Sequence, residues 1–313
     1  MSPAGGGQAL NFPAADGYAL HGTYWHGPEK PVAAVLISAA TGVAARYYHR
    51  FAEVLSRRGF RVLVYDYRGI GQSRPTNLRK LRASKLDWGA LDCEGAIQAL
   101  SGHADGAPLY AVCHSIGGFC LGMAPSAHRV QRALFVGCQY AYWRDYAPAV
   151  RMGFLWRWHL LMPVLASLLG YFPGKRLGWL EDLPRGVALE WGLRFAPAFH
   201  RLYRWLPHAS TETRGAALTR RMARIQADLL ALADPADEYA TEPANRRLLA
   251  YFRGCRRQFA TFASEPPAGH FGFFHDRYHD TLWTPAINWL LNGQHPWALR
   301  FDWAPENITQ TSG

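Results

Sequence analysis

The feature that most constrains the fold is the stretch Pro108-Leu-Tyr-Ala-Val-Cys-His-Ser-Ile-Gly-Gly118, in which an apolar run stops at a serine followed by two glycines. The run 109–112 is short and apolar, which predicts a strand buried within a parallel sheet. The glycines then open a helical run, so Ser115 falls on a tight turn between strand and helix. Such a turn strains the serine backbone and exposes the hydroxyl at the sheet edge. The stretch therefore predicts a nucleophilic serine, and the alternative is an ordinary turn that binds nothing.

Small residues stand two positions away from this serine on either side, because strand and helix approach too closely there for larger side chains. Gly117 is the downstream residue, and Cys113 is the upstream one, where glycine is usual. The chain has five cysteines, an odd number that does not predict a disulfide framework, and none of their spacings resembles a zinc site. Cys113 and Cys138 lie in apolar runs, where a thiol behaves as a small hydrophobic group.

Strand and helix patterns alternate on both sides of the serine, which predicts an α/β fold with a doubly wound, mostly parallel sheet. On the N-terminal side we expect a hairpin around Asp16-Gly17, strands at 31–38 and 60–66 with a helix at 46–58 between them, and a helix at 86–100. On the C-terminal side we expect strands at 132–138, 227–233 and 257–263, and helices at 243–252 and 282–291.

The loop 65–75 contains glycines that resemble a phosphate-binding turn. A dinucleotide-binding fingerprint needs a third glycine that opens a helix, and Arg74-Pro75 prevents this. We therefore expect no nucleotide cofactor, and we expect Asp66 and Arg68 to brace the loop.

The alternation breaks between residues 140 and 226, a stretch rich in tryptophan, leucine, proline and arginine. Prolines break it into short helices, so we predict a helical lid inserted between two core segments, 1–139 and 227–313. Its apolar part, 154–172, is nearly long enough to span a membrane, but Arg157, His159 and Pro163 argue against spanning. Contact with a membrane surface is the lesser alternative, because aromatic residues beside arginines suit an interface.

The net charge is +11, and most of the basic residues are arginine. Such a balance can steer anionic substrates. The basic residues are scattered, and no nucleic-acid-binding motif occurs, so we interpret the charge as a solvated surface and expect no nucleic-acid partner. The first residues lack a basic region followed by an apolar core, so the expected location is the cytoplasm.

A serine hydroxyl needs a base to take its proton and a carboxylate to orient that base. In this fold class the acid and then the base follow the serine, on loops at the carboxyl ends of strands. Asp237 follows the strand that ends at Ala233, and His270 follows the strand that ends at Ala263. We assign these two as acid and base.

Other residues nearby in the sequence are also candidates for the acid and the base. Asp234 lies almost at the strand end, where we expect it to turn the loop, and Glu238 ranks behind both aspartates. His275 and His279 are four residues apart, which could suit a metal, but no HExxH pattern accompanies them. We therefore expect no metal ion.

The negative oxygen of a tetrahedral intermediate needs two fixed N–H donors. One should be the main chain of Ile116, at the start of the helix. The other should come from the small-residue loop 39–42, with Ala40 as first choice and Thr41 as second.

At these residues the chain resembles the α/β-hydrolase superfamily, and it is similar to the serine-hydrolase branch of monoacylglycerol lipases, esterases and bacterial hydrolases of unassigned substrate. The segment 38–47 stands where such lipases carry His-Gly-x-Gly followed by Arg-Tyr, and 66–73 matches the loop after the fourth strand. Ser115, Asp237 and His270 fall at the triad positions. The sequence departs from the family at Cys113 and at Ser38-Ala39, which bears on a lipid substrate more than on the triad.

The resemblance implies an α/β-hydrolase fold with a variable lid, and cleavage by water of an ester, thioester or amide of a small acyl substrate through an acyl-serine, without a cofactor. Two alternatives stay open. An acyltransferase would use the same triad, and a non-catalytic binding protein would use only the scaffold. The oligomeric state and the substrate are left open by the sequence.

Overall fold

The structure is a computed structural model that describes residues 6–195 and 215–306. Nine strands form one sheet in the order β1-β2-β4-β3-β5-β6-β9-β10-β11, and two short strands, β7 and β8, pair with each other. The strands are β1 Gln8–Pro13, β2 Ala19–Trp25, β3 Ala33–Ser38, β4 Phe60–Tyr65, β5 Leu109–His114, β6 Val130–Val136, β7 Tyr171–Phe172, β8 Leu183–Pro184, β9 Asp228–Ala233, β10 Arg256–Thr261 and β11 Leu299–Trp303.

The sheet is parallel from β4 through β10, while β1, β2 and β11 pair antiparallel at its two ends. This confirms the predicted α/β class with its mostly parallel sheet and N-terminal hairpin. Every residue of β3 is buried, as is expected of a strand covered on both faces. The edge strand β11 was not predicted from the sequence.

Helices cover the sheet and connect its parallel strands. They are α1 His49–Arg57, α2 Lys85–Asp87, α3 Glu94–Gly102, α4 Gly117–Met123, α5 Arg151–Phe154, α6 Met162–Leu169, α7 Arg185–Gly192, α8 Gly215–Ala223, α9 Glu242–Leu249 and α10 Thr284–Asn292. A π-helical stretch, Trp88–Cys93, joins α2 to α3, so the predicted helix at 86–100 is a composite of three pieces. Another, Leu155–Leu161, joins α5 to α6.

The chain leaves the sheet after β6 and returns to it at β9. Between them lie α5 to α8 and the small ribbon of β7 and β8, in agreement with the short helices expected there. Residues 196–214 of the predicted lid, including Pro197, Trp205 and Pro207, lie outside the described residues. The domain boundaries at 139 and 227 stay a prediction.

One helix of the described ranges, Arg151–Leu169, is long and apolar enough to cross a membrane by length and composition, and 33% of its most apolar window is buried. Its outer face carries exposed apolar side chains at intervals of four residues. They are Met152, Trp156, Leu160, Val164 and Leu168. Contact with a membrane surface stays a prediction.

Candidate active site

The serine turn has the predicted geometry. The strand β5 ends at His114, and α4 begins at Gly117. Ser115, between them, has φ +55°, a left-handed conformation that side chains other than glycine rarely adopt. A Cβ atom at Gly117 would collide with the carbonyl oxygen of Ser38, so this position requires glycine. Cys113, at the other small position, is fully buried.

The structure brings Ser115, His270 and Asp237 together in one chain of hydrogen bonds. Nε2 of His270 lies 3.0 Å from the Ser115 Oγ, and Nδ1 of His270 lies 2.8 Å from Oδ2 of Asp237. All three side chains are almost buried, so the bonds are shielded from water. The arrangement gives the hydroxyl a base and gives that base a fixed orientation.

The two aspartates of the 234–238 loop have different tasks. Oδ1 of Asp237 accepts the N–H groups of Tyr239 and Ala240, each at 2.8 Å, which leaves Oδ2 for the imidazole. Asp234 accepts the N–H of Ala236 at 2.8 Å, which turns its own loop, as expected. Its other oxygen accepts the main-chain N–H groups of residues 268 and 269, at 2.6 and 3.0 Å. Asp234 therefore ties the acid loop to the segment just before the histidine.

The remaining candidates, Glu238, His275 and His279, make no hydrogen bond with Ser115 in the part of the chain that the structure describes. Glu238 and His275 are exposed, and His279 pairs with Asp280 at 2.8 Å. Within residues 6–195 and 215–306, no group of three histidine, cysteine or acidic side chains is placed to hold a metal ion.

The loop 39–42, here called the oxyanion loop, does not offer the N–H donor that was the first choice from the sequence. The N–H of Ala40 already donates to the Tyr48 hydroxyl at 2.9 Å. The N–H groups of Thr41 and Ile116 have no hydrogen-bond partner in the part of the chain that the structure describes, and both residues line the cavity next to Ser115. The geometry therefore favours Thr41, the second choice, beside Ile116.

A buried chain of hydrogen bonds, not foreseen from the sequence, connects this loop to the histidine. The Tyr48 hydroxyl accepts the N–H of Ala40, so its own proton goes to Nδ1 of His114 at 2.8 Å. Nε2 of His114 then donates to the carbonyl oxygen of His270 at 2.9 Å. Burial, and next the neighbouring His270, lower the pKa of His114 to about 3, so its imidazole stays neutral and able to accept from Tyr48.

Gly137 is a second residue that the sequence did not single out. It follows β6 with φ +56°, and a Cβ atom there would lie 3.1 Å from Oδ2 of Asp237 and 3.3 Å from Nδ1 of His270. Glycine therefore leaves room for the acid and the base behind the serine. The only signal in the sequence was a glycine near the end of the predicted strand 132–138.

A cavity of about 270 Å³ opens over the serine. Five aromatic side chains contribute to its wall, namely Trp158, Trp179, Trp191, Tyr239 and Phe271. All five follow the serine turn in the sequence, on the segments that carry the acid, the base or the predicted lid. Its volume is just below the range of about 300–1,000 Å³ typical of sites for drug-sized ligands.

The loop after β4 is braced as predicted. Asp66 accepts the N–H of Ala45 at 2.7 Å and that of Gln72 at 2.9 Å. Arg68 binds Asp92 through its Nε at 2.6 Å and Asp16 through its Nη2 at 2.7 Å. The loop lies beside the oxyanion loop and takes no direct part in the cavity wall.

Comparison with known proteins agrees with this architecture. The family model described as serine aminopeptidase, S33 (Hydrolase_4) matches residues 29–250. No curated protein sequence matches the chain significantly.

Among solved structures, a soluble variant of monoglyceride lipase from Saccharomyces cerevisiae, bound to a substrate analogue, superimposes with a TM-score of 0.61 at 16% identity, covering 93% of this chain and 96% of that one. The esterase EaEST from Exiguobacterium antarcticum gives 0.56 at 15% identity, covering 90% and 99%. The Pyrococcus furiosus esterase Pf2001 gives 0.55 at 12%, covering 91% of each chain. At these identities the likeness shows the fold, and it confirms the predicted α/β-hydrolase architecture.

Proposed function

Because the chain belongs to the serine aminopeptidase S33 family of α/β hydrolases, we propose that it is a serine hydrolase that cleaves a small carboxylic ester through an acyl-Ser115 intermediate. The observation that carries this proposal is the hydrogen-bonded chain from Ser115 through His270 to Asp237 at the floor of a cavity.

In the first half-reaction Ser115 Oγ attacks the carbonyl carbon while Nε2 of His270 takes the hydroxyl proton. Asp237 stabilises the imidazolium that forms. The N–H groups of Ile116 and Thr41 hold the negative oxygen of the tetrahedral intermediate. The intermediate collapses, the C–O bond to the alcohol breaks, and His270 gives the alcohol its proton.

Water completes the cycle by the same route. His270 takes a proton from a water molecule that attacks the acyl-serine, and it returns that proton to Ser115 Oγ as the acid leaves. A thioester or an amide would follow the same steps with a thiol or an amine as leaving group. The esterase and lipase folds among the structural neighbours support an ester as the first substrate class to test.

The first prediction concerns the nucleophile. We expect Ser115→Ala to lower kcat for p-nitrophenyl acetate by on the order of 10⁴ to 10⁶, because the attacking oxygen is gone while the fold remains. A fluorophosphonate probe should label the wild-type protein and leave the variant unlabelled. Intact mass should show one phosphonyl group on the wild type, because Ser115 Oγ displaces fluoride from the phosphorus atom of the probe.

Ser101→Ala is the matched control, since the Ser101 hydroxyl donates to the main-chain carbonyl of Ile97 within α3 at 2.7 Å and Ser101 does not line the cavity. It should keep both labelling and activity. Labelling that persists in Ser115→Ala would overturn the assignment of the nucleophile.

A further inference from the structure

Lys85 is a buried lysine at the start of α2. The helix begins at a capping box made by Ser84 and Asp87, and the Lys85 main-chain N–H donates to Oε2 of Glu190 at 2.7 Å. These contacts fix the backbone, and only 1% of the residue is exposed. Lysine is almost never fully buried unless its ammonium group is paired.

The ammonium of Lys85 makes no hydrogen bond or ion pair with any residue in the described ranges. Its Nζ lies 4.6 Å from the centre of the Trp191 ring, a cation–π contact. The nearby Glu190 carboxylate binds Arg194 at 3.1 Å and the Lys85 main-chain N–H at 2.7 Å. The side chain lines the same cavity as Ser115.

The charges along the cavity wall are all of one sign. Lys85 and Arg157 both line it, whereas none of its described lining residues is acidic. The Arg157 guanidinium stacks over Trp179, with 4.7 Å to the ring centre. A guanidinium and a protonatable amine on aromatic surfaces, without a carboxylate among the described lining residues, form a site that is complementary to an anion.

We infer that the preferred substrate is a short ester that carries a carboxylate, and that Lys85 receives this carboxylate while the ester carbonyl lies against Ser115. The inference rests on the proposed function and adds its substrate class. The aromatic walls would contact the methylene groups between the two ends, and a cavity of about 270 Å³ favours a short chain over a long fatty acyl group.

Burial, and next the neighbouring Arg194, hold the pKa of Lys85 well below its usual range. A carboxylate bound beside it would favour the charged form of the amine. An anionic ligand would therefore stabilise the form of Lys85 that burial disfavours.

The test compares matched pairs of esters in the wild-type protein. Monomethyl adipate carries a carboxylate on its acyl side, and methyl hexanoate is its neutral partner. In the second pair, 4-acetoxybutanoate carries the carboxylate on its alcohol side, and butyl acetate is the neutral partner. In at least one of the two pairs, we expect kcat/KM for the anionic ester to exceed that for its neutral partner by about tenfold or more. A single charge-assisted hydrogen bond is strong enough to give a difference of this size. Equal values in both pairs, or a preference for the neutral esters, would overturn the inference.

Lys85→Met keeps the length of the side chain and removes its charge. We expect it to abolish the preference, so that kcat/KM for the anionic ester becomes about equal to kcat/KM for its neutral partner. Lys80→Met is the control, because Lys80 is exposed and absent from the cavity wall, and it should leave the preference intact. A preference that survives in Lys85→Met would contradict the role of Lys85.

Binding gives a readout that does not depend on turnover. Calorimetry on Ser115→Ala should show monomethyl adipate binding more tightly than methyl hexanoate, and the double variant with Lys85→Met should lose this difference. If the wild-type protein hydrolyses neither the anionic nor the neutral esters, the proposed function fails. If they are hydrolysed without any charge preference, only the substrate class fails.

Discussion

The Tyr48 hydroxyl connects three segments that the reaction needs in register. It accepts the Ala40 amide of the oxyanion loop and donates to His114, which in turn holds the carbonyl of His270. Each group in this chain is used once, so the direction of every proton is fixed. The result is a rigid link between the loop that would hold the oxyanion and the loop that carries the base.

We predict that Tyr48→Phe lowers stability by about 1–3 kcal/mol, because it leaves the Ala40 amide and Nδ1 of His114 unpaired in the interior. The same change should lower kcat by on the order of ten- to a hundredfold with little change in KM, since the oxyanion loop and the base lose their registration. Urea unfolding and steady-state kinetics with p-nitrophenyl acetate measure the two effects.

Tyr24→Phe serves as the control for a lost buried hydroxyl away from the site. Tyr24 donates to the carbonyl of His103 at 3.2 Å, so this variant should lose stability but keep kcat. An unchanged kcat in Tyr48→Phe would show that the link is structural only.

The triad residues could be predicted from the sequence because each one follows a strand, and parallel strands bring their carboxyl ends to one edge. The link through Tyr48 could not be predicted. Its members are separated by 66 and 156 positions in the chain, and no local pattern shows which tyrosine or histidine will meet. The Ala40 amide illustrates the same limit, because a single distant hydroxyl decides whether it is available.

At the scale of elements, the loop after β4 depends on a buried ion pair. Arg68 binds Asp92 through both its main chain and its guanidinium, and the side chains are 5% and 0% exposed. Its outer nitrogens reach Asp16 in the turn of the N-terminal hairpin. One arginine therefore joins the hairpin, the loop and the π-helical stretch Trp88–Cys93.

We predict that Arg68→Met lowers the free energy of unfolding by about 3–5 kcal/mol, because it leaves the Asp92 carboxylate buried without its partner. The double variant with Asp92→Leu should recover much of this loss, since no uncompensated charge remains. Chemical denaturation measures both. Arg57→Met, which breaks an exposed pair with Glu53, should cost no more than about 1 kcal/mol. A loss of the same small size in Arg68→Met would contradict the prediction.

The buried strands and α1 were predicted from their clear apolar patterns, whereas β11 was missed. The sequence of β11, Leu-Arg-Phe-Asp-Trp, does alternate between apolar and charged residues, but the strand is short, lies at the sheet edge and is largely exposed. Such a short alternating run near the end of the sequence is a weaker indication of a strand than a buried apolar run. The π-helical stretches were also missed, because a sequence pattern based on the α-helical period does not distinguish them from an α-helix.

At the scale of the whole molecule, the charge of +11 and the basic cavity have the same sign. The scattered arginines in the sequence were interpreted as a solvated surface. The sequence could not show that Lys85 and Arg157, from distant segments, meet in one cavity. Only the folded chain shows that part of the positive charge faces the serine.

We predict that kcat/KM for the anionic esters falls several-fold between about 0.01 and about 1 M NaCl, over which the Debye length shortens from roughly 30 to roughly 3 Å. The matched neutral esters should change little, because no long-range attraction brings them to the cavity. Initial rates at substrate concentrations far below KM measure this. An equal fall for charged and neutral esters would indicate a salt effect on the protein itself.

The cavity draws its walls from two separate portions of the chain. Lys85 precedes β5 and belongs to the portion that builds the sheet, whereas Trp158, Trp179 and Trp191 come from the stretch between β6 and β9. Moving the stretch between β6 and β9 into a related scaffold would therefore transfer the tryptophan side chains of the cavity wall without the Lys85 amine. A chimera that is to inherit the proposed selectivity for anionic esters has to carry α2 along with it.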